Sequence, residues 1–506
     1  MTPEGETSDA QRRNLDVRFA GGLAWTAGVK WATQLVTWGS LLIVARLLSP
    51  ADYGVGEMAG TLTVLANVLA EFGVGTAVLH MPELTRRNLA QLHLFSFLLC
   101  AGICGLATLA APLVASFYHS EHVRFFLVNN AGLLLTGLEA VPMGLLARDM
   151  DYKRLALAEA AMVVVQAVVT VITAWLGWGY WALLAGGAAG RTAATIMVCS
   201  WKHVGFAWPR WKDIRAPVEL GRQAAVSRVA WALYSQADGI VVGRILGESV
   251  LGSYRMAMNL ASAPAEKVST LLMRTVTPLF ARVQFDRALV RRYYLIVAET
   301  LALVVIPLML GVIAVAPQAV PILLGAKWAA AVGPMRWLAF FMILRTMNSL
   351  TEQVLISQRM TQFTMRMALL NSVVMPVAFI AAARWQGSSG VAASWIALSP
   401  FTMLPLLMVL LRHIDLPYRQ FGAAIFPAAA GTVAMSLVLF GLNGPLKDVS
   451  WPAELRLAVT VGAGAAVYTT ILWVFFRERI LRYLNFLLSL RKKAPLAGAA
   501  DAIEPV

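Results

Sequence analysis

Charge is scarce along this chain. Lys, Arg, Asp and Glu make up only 14% of its 506 residues, against about a quarter in an ordinary soluble domain. With 59% hydrophobic residues and a mean hydropathy of +0.68, that scarcity excludes a string of soluble domains. Cysteine is nearly absent as well. Cys100, Cys104 and Cys199 lie in apolar stretches, and no His or carboxylate near Cys100 and Cys104 completes a metal site, so all three read as packing residues. There is no G-x-x-x-x-G-K-[ST] segment, and no polar insertion is large enough to be a nucleotide-binding domain. The first 20 residues hold no apolar run, so the first hydrophobic segment is expected to stay in the membrane rather than be cleaved as a signal peptide.

What is present in abundance is long hydrophobic runs. Many approach the roughly 20 residues needed to cross about 30 Å of hydrocarbon. About 14 spans are expected, over residues 22–45, 54–79, 90–117, 124–147, 155–176, 178–201, 221–246, 250–273, 293–316, 332–357, 366–384, 389–411, 420–442 and 455–476. The sequence therefore predicts an all-α polytopic membrane protein. The intervening charges alternate with these spans. If both termini are cytoplasmic, about 27 Lys and Arg fall on the inner side and about 7 on the outer, the positive-inside asymmetry. The inner set includes Arg86, Arg87, Arg148, Lys153, Arg154, Arg287, Arg291 and the tail "RERILRYLNFLLSLRKK". The formal charge of +15 is thus explained by topology and by anionic headgroups, and not by nucleic acid. The tail itself is amphipathic with basic flanks, and reads either as a helix lying on the inner surface or as an ordinary stop-transfer anchor.

The chain also repeats itself. "ARLLSPADYGVGEMA" at 45–59 and "GRILGESVLGSYRMA" at 243–257 align without gaps at an offset of 198 residues. Extended backwards, the alignment pairs Lys30 with Arg228 and Val44 with Val242. Six spans separate the copies, an even number, so both share one orientation, as in a parallel repeat about the membrane normal. The expected organisation is a cytoplasmic tail (1–20), a six-helix lobe (21–201), a linker (202–219), a second six-helix lobe (220–411), a C-terminal helix pair (412–476) and the basic tail (477–506).

The segments "ARLLSPADYG", "AEFGVGTAVLH", "LLARDMDYKRLA", "SQADGIVVGRILGESVLGSYRMA" and "TPLFARVQ" together resemble the Wzx-type polysaccharide flippases of the multidrug/oligosaccharidyl-lipid/polysaccharide (MOP) exporter superfamily. The resemblance runs over nearly the whole chain. It implies transfer of an undecaprenyl-pyrophosphate-linked oligosaccharide across the bacterial inner membrane for exopolysaccharide or lipopolysaccharide synthesis. No cofactor is expected. The expected partners are that lipid-linked saccharide, membrane lipids, and the polymerase and export machinery of the same pathway. Without a P-loop, transport would draw on an ion gradient, the membrane potential or consumption of the product.

Charges inside spans should face a cavity or a partner, because a lipid-exposed charge at a helix centre costs at least about 2.5–3.5 kcal/mol. Lys30 and Arg228 sit at matched depths, roughly 12 Å from the cytoplasmic helix ends. With Arg345 they are candidates for a pyrophosphate, because charge-assisted bonds to phosphate are strong; the alternatives are internal carboxylate partners or snorkelling to headgroups. Polar stripes at helical spacing are Glu57, Thr61 and Glu71; Glu159, Gln166, Thr170 and Thr173; and Arg345, Ser349 and Glu352, with Asn348 beside them. They could line a sugar passage or join helices. Arg191 and Arg255 are further gate or cavity candidates, Glu57 and Arg255 occupying matched repeat positions with opposite charge. Asp238 is an ion-coupling candidate or a counter-charge.

Two other functions compete. A membrane glycosyltransferase or polymerase has its hint in "DMD" at 149–151, a weak D-x-D in a short loop, and no outer loop exceeds about 15 residues. A multidrug or small-solute antiporter of the same fold would favour an acidic cavity, whereas Lys30, Arg228 and Arg345 favour an anionic cargo. No catalytic residue and no metal ligand is assigned.

Overall fold

The computed structural model describes residues 28–70, 78, 85–210, 215, 232, 234–448 and 451–491. They are overwhelmingly helical, with no strand among the described residues. Seven of the described helices are long and apolar enough to cross a membrane. Their outward faces are apolar: Leu106, Leu109 and Leu113, one stripe of a single helix, are 69–76% exposed, as suits a surface solvated by lipid. The chain forms two compact units, Met1–Ser253 and Tyr254–Val506.

In the first unit the helices are α1 (28–47), α2 (Pro50–Ala70), α3 (Arg86–Tyr118), α4 (Val123–Asn129), α5 (Gly132–Arg148), α6 (Tyr152–Trp175), α7 (Trp181–Trp201) and α8 (234–246), followed by the start of α9 (Glu248–Val283). Small residues set its packing. Ala182, Gly186, Gly190 and Ala194 recur every four residues and form the buried face of α7 against α6. A methyl group at Gly190 would sit 2.5 Å from the Met162 carbonyl oxygen, so the two backbones approach as closely as side-chain-free surfaces permit. Ala66, Ala70, Cys100, Ala107 and Leu133 join α2, α3 and α5 in the same way.

The expected span over 124–147 is two helices instead of one. Asn130, fully buried, turns its side-chain amide onto the Phe126 carbonyl at 3.1 Å. That bond offers the backbone an alternative to continuing the helix, and α4 ends there.

The second unit contains the rest of α9, then α10 (Arg287–Leu324), a 3-10 turn (Ala326–Ala331), α11 (Val332–Ser357), α12 (Thr361–Ala397), α13 (Ser399–Thr402), α14 (Leu404–His413), α15 (Tyr418–Asp448) and α16 (Ala453–Arg491). The central helix is α10. Its N-cap Asp286 accepts from Leu289 N–H at 3.0 Å, and Val290, Tyr294, Val297, Leu301 and Val305 form a buried stripe at helical spacing. A kink divides α12 at Gly387, whose φ of 62° and ψ of −148° suit only glycine. The expected span over 389–411 is therefore broken: the second limb of α12 stops at Ala397, and α13 and α14 follow. Pro400 and Pro405 account for these breaks, since neither can donate to the preceding turn. At Phe476 (φ −130°, ψ 20°) α16 also bends, and the basic tail continues as a helix to Arg491.

The two repeat copies keep their register in three dimensions. Helix α2 begins at Pro50 and α9 at Glu248, positions 198 residues apart.

Candidate functional site

A chain of polar side chains crosses the interior of the first unit. Arg191, on α7, donates to Glu139 on α5 at 2.5 Å and to the Thr136 hydroxyl at 3.2 Å. Thr195, one turn beyond Arg191, donates to the other Glu139 oxygen at 3.0 Å. From Thr136 the chain passes to the Asn67 side-chain oxygen on α2, and from Asn67 to the Thr63 carbonyl. Asn129 donates to the Thr63 hydroxyl at 2.7 Å, which contacts Asn130 in turn. Four helices are thus joined through charge and amide groups. The Arg191 side chain is one-third exposed and the Glu139 side chain one-tenth, so the cation reaches the edge of the network and the carboxylate anchors it.

Lys30 and Glu159, both singled out from the sequence, are brought together. Their charged atoms stand 4.0 Å apart and both side chains are half exposed. An exposed pair at that distance is weak, which leaves the ammonium open to a better anion. Thr170 and Thr173 of the same stripe are buried, with Thr170 against Gly186 of α7, whereas Glu159 and Gln166 are exposed. The stripe is therefore divided between helix packing and an accessible edge. Glu57 is half-buried on α2, its carbonyl accepting from Thr61. Asp238, on α8, is 1% exposed and accepts from the Gly239 N–H. Glu71 and Arg228 lie outside the described residues.

In the second unit, Asn348 donates to Glu352 at 2.7 Å along one face of α11, while Ser349 bonds back to the Thr346 carbonyl of its own helix. Arg345 is exposed on the same helix, and Arg255 is half-buried on α9. A cavity of about 100 Å³ opens beside Asn348, lined by Tyr294, Met347, Met403, Leu407 and Phe421. Tyr294 shares a 3.0 Å hydrogen bond with Thr351 at its wall.

The D-x-D residues have structural tasks. Asp149 pairs with Lys202 at 2.5 Å, and Asp151 caps α6 by accepting from Arg154 N–H at 3.1 Å. Two groups of weight were missed from the sequence. Glu139 is a lone carboxylate in an apolar run, the same signal that marked Asp238. His93 is 4% exposed and places its ring nitrogens 3.1 Å from the Val204 carbonyl and 3.0 Å from the Leu138 carbonyl. With Phe206 stacked on its ring at 4.6 Å, it ties the start of the 203–210 segment to α3 and α5.

Residues 43–333 match the family model described as polysaccharide biosynthesis protein. The chain belongs to that family. It is 24% identical over 472 residues to the teichuronic acid biosynthesis protein TuaB of Bacillus subtilis, covering 91% of this chain and 96% of that protein. It is also 24% identical over 501 residues to the succinoglycan biosynthesis transport protein ExoT of Rhizobium meliloti, covering 95% and 97%. In fold it is similar to the lipid II flippase MurJ in an inward closed conformation, with a TM-score of 0.70 at 14% identity over 90% of this chain and 99% of MurJ. An inward-facing multidrug transporter of the MOP superfamily aligns with a TM-score of 0.58 over 76% of this chain. The resemblance read from the repeat and loop motifs is borne out by the family match, which spans most of those motifs.

Proposed function

We propose that this protein carries an undecaprenyl-pyrophosphate-linked oligosaccharide from the cytoplasmic to the periplasmic leaflet of a bacterial inner membrane. The observation that carries the reading is Lys30: a half-exposed ammonium within an apolar helix, held only loosely by Glu159 at 4.0 Å. A cation so placed, in a family of polysaccharide biosynthesis proteins, suits a phosphate that must leave its headgroup layer. Full-length similarity to proteins named for teichuronic acid and succinoglycan synthesis supports a saccharide cargo. Arg345 and Arg228 are proposed as further phosphate contacts. Glu57, Glu71, Glu159, Arg191, Arg255, Asn348, Ser349 and Glu352 are proposed to line the sugar path or its gates, and Asp238 to couple an ion. The proposed topology has 14 crossings and both termini in the cytoplasm.

The test is translocation of a labelled undecaprenyl-pyrophosphate oligosaccharide in proteoliposomes. Wild type should flip it, and Lys30→Ala should slow flipping about 10–100-fold, the scale of one lost charge-assisted phosphate contact. Absence of flipping with or without an imposed ion gradient would reject this cargo. Uptake of small cations instead would favour the antiporter reading.

A further inference from the structure

The two repeat copies meet each other. Gly54, in the first turn of α2, lies against the carbonyl of Glu248, the first residue of α9; a methyl group there would overlap that carbonyl and sit 2.8 Å from the Glu248 Cα. Gly252, in the first turn of α9, lies against the carbonyl of Pro50, the first residue of α2. A methyl group there would overlap that oxygen and sit 2.9 Å from the Gly54 nitrogen. The contact is reciprocal under the 198-residue offset: 54 maps to 252, and 50 maps to 248. Within the first compact unit, the duplicated helix starts are therefore joined backbone to backbone about a local two-fold relation.

The surroundings are asymmetric and polar. His122 Nε2 is 3.7 Å from Glu248 Oε2, Arg244 stands 5.5 Å over the Phe117 ring, and Tyr118 packs on Gly243. Asp52 accepts from Ser49 and from Tyr180 N–H.

We infer that Gly54 and Gly252 form a symmetric backbone latch between α2 and α9, closed in this structure, whose parting is a step of transport. The inference rests on the transport reading for its role in the cycle, but the latch itself is a property of this contact. Two features favour a contact built to part. At both glycines the nearest neighbours are main-chain atoms of the other helix, so the contact at these two positions interleaves no side chains. The reciprocal geometry means that one movement breaks both halves together. A side chain at either glycine prevents closure, because a carbonyl in the first turn of a helix cannot swing aside as a side chain does.

The test uses Ser253→Cys as a probe, in protein whose three native cysteines are replaced by alanine. Ser253 follows Gly252 and is 3% exposed. Purified protein in nanodiscs would be labelled with a hydrophilic maleimide, which needs neither cargo nor a known topology. Gly54→Ala and Gly252→Ala should each accelerate labelling about tenfold by holding the contact open. Gly60→Ala on the same helix, where a methyl group meets nothing within 4 Å, should leave the rate at its wild-type value. Equal rates for the Gly54→Ala, Gly252→Ala and Gly60→Ala backgrounds overturn the latch, and the two glycine variants approach it from opposite helices should one fail to fold. In a second measurement, His122→Cys and Glu248→Cys are joined by a short reducible bifunctional reagent. Loss of flipping that reduction restores supports parting; full flipping by the cross-linked protein overturns it. Accelerated labelling in protein that moves no saccharide would leave the latch in place and remove only the cargo.

Discussion

Arg191 and Glu139 illustrate how one residue depends on another in an apolar interior. Each alone would be an uncompensated charge, and removing one partner of a buried pair is more damaging than removing both. Glu139→Gln should lower stability by about 2–4 kcal/mol, reduced from the fully buried case because Arg191 is partly solvated. Glu139→Leu with Arg191→Met should lose less than either single change. Thermal unfolding in detergent, arranged as a double-mutant cycle, measures the difference; additive effects would show that the pair does not interact. His93 acts similarly at smaller scale. Both carbonyls that it faces are acceptors, so each ring nitrogen is a potential donor, and His93→Ala should free the 203–210 segment. Faster hydrogen exchange confined to that segment and the adjoining turn of α3 is the expected readout.

Elements are held at distances set by glycine. At Gly190, where α7 meets the α6 backbone, alanine should destabilise by about 1–3 kcal/mol through forced separation. At Gly187, on the same helix with open space around it, alanine should be neutral or slightly stabilising, since it favours the helix. Equal effects at the two positions would contradict the close approach of α6 and α7. The kink of α12 makes a different demand. Gly387→Ala places a side chain in a glycine-only backbone region and should cost about 1–3 kcal/mol, visible as a lower unfolding midpoint.

For the whole molecule, the charge asymmetry makes the topology testable. A C-terminal green fluorescent protein fusion should fluoresce and the matching alkaline phosphatase fusion should be inactive, since both tails are proposed to face the cytoplasm. A cysteine at Lys153 should be labelled by an impermeant reagent only after the inner face is opened. Labelling of intact cells at that position would invert the arrangement.

Much of this was legible from residues alone. The long apolar runs and the alternation of Arg and Lys marked the membrane helices, and where they are described the expected spans lie on helix except at turns such as 130–131, 178–180, 398 and 403. The breaks at Asn130 and in 397–404 were not marked as ends, because hydropathy continues across them. Among the candidate residues, Lys30 and Glu159 were each visible as charges inside apolar runs, but their approach was not. Glu139 carried the same signal as Asp238 and was overlooked. The pattern of Thr170 and Thr173 could not distinguish a passage from a helix contact, since both place polar groups on one face.

Composition by itself determined that the chain is a bundle of membrane helices, because transfer into hydrocarbon depends on what a segment contains more than on what it touches. The sequence also contained the duplication, with both helix starts in register. Tertiary structure alone decided that Arg191 finds Glu139, 52 residues away, and that Gly54 and Gly252 close on each other's helix across 198 residues. Such pairings follow from close packing of whole elements, in which a single absent side chain sets the distance between two backbones.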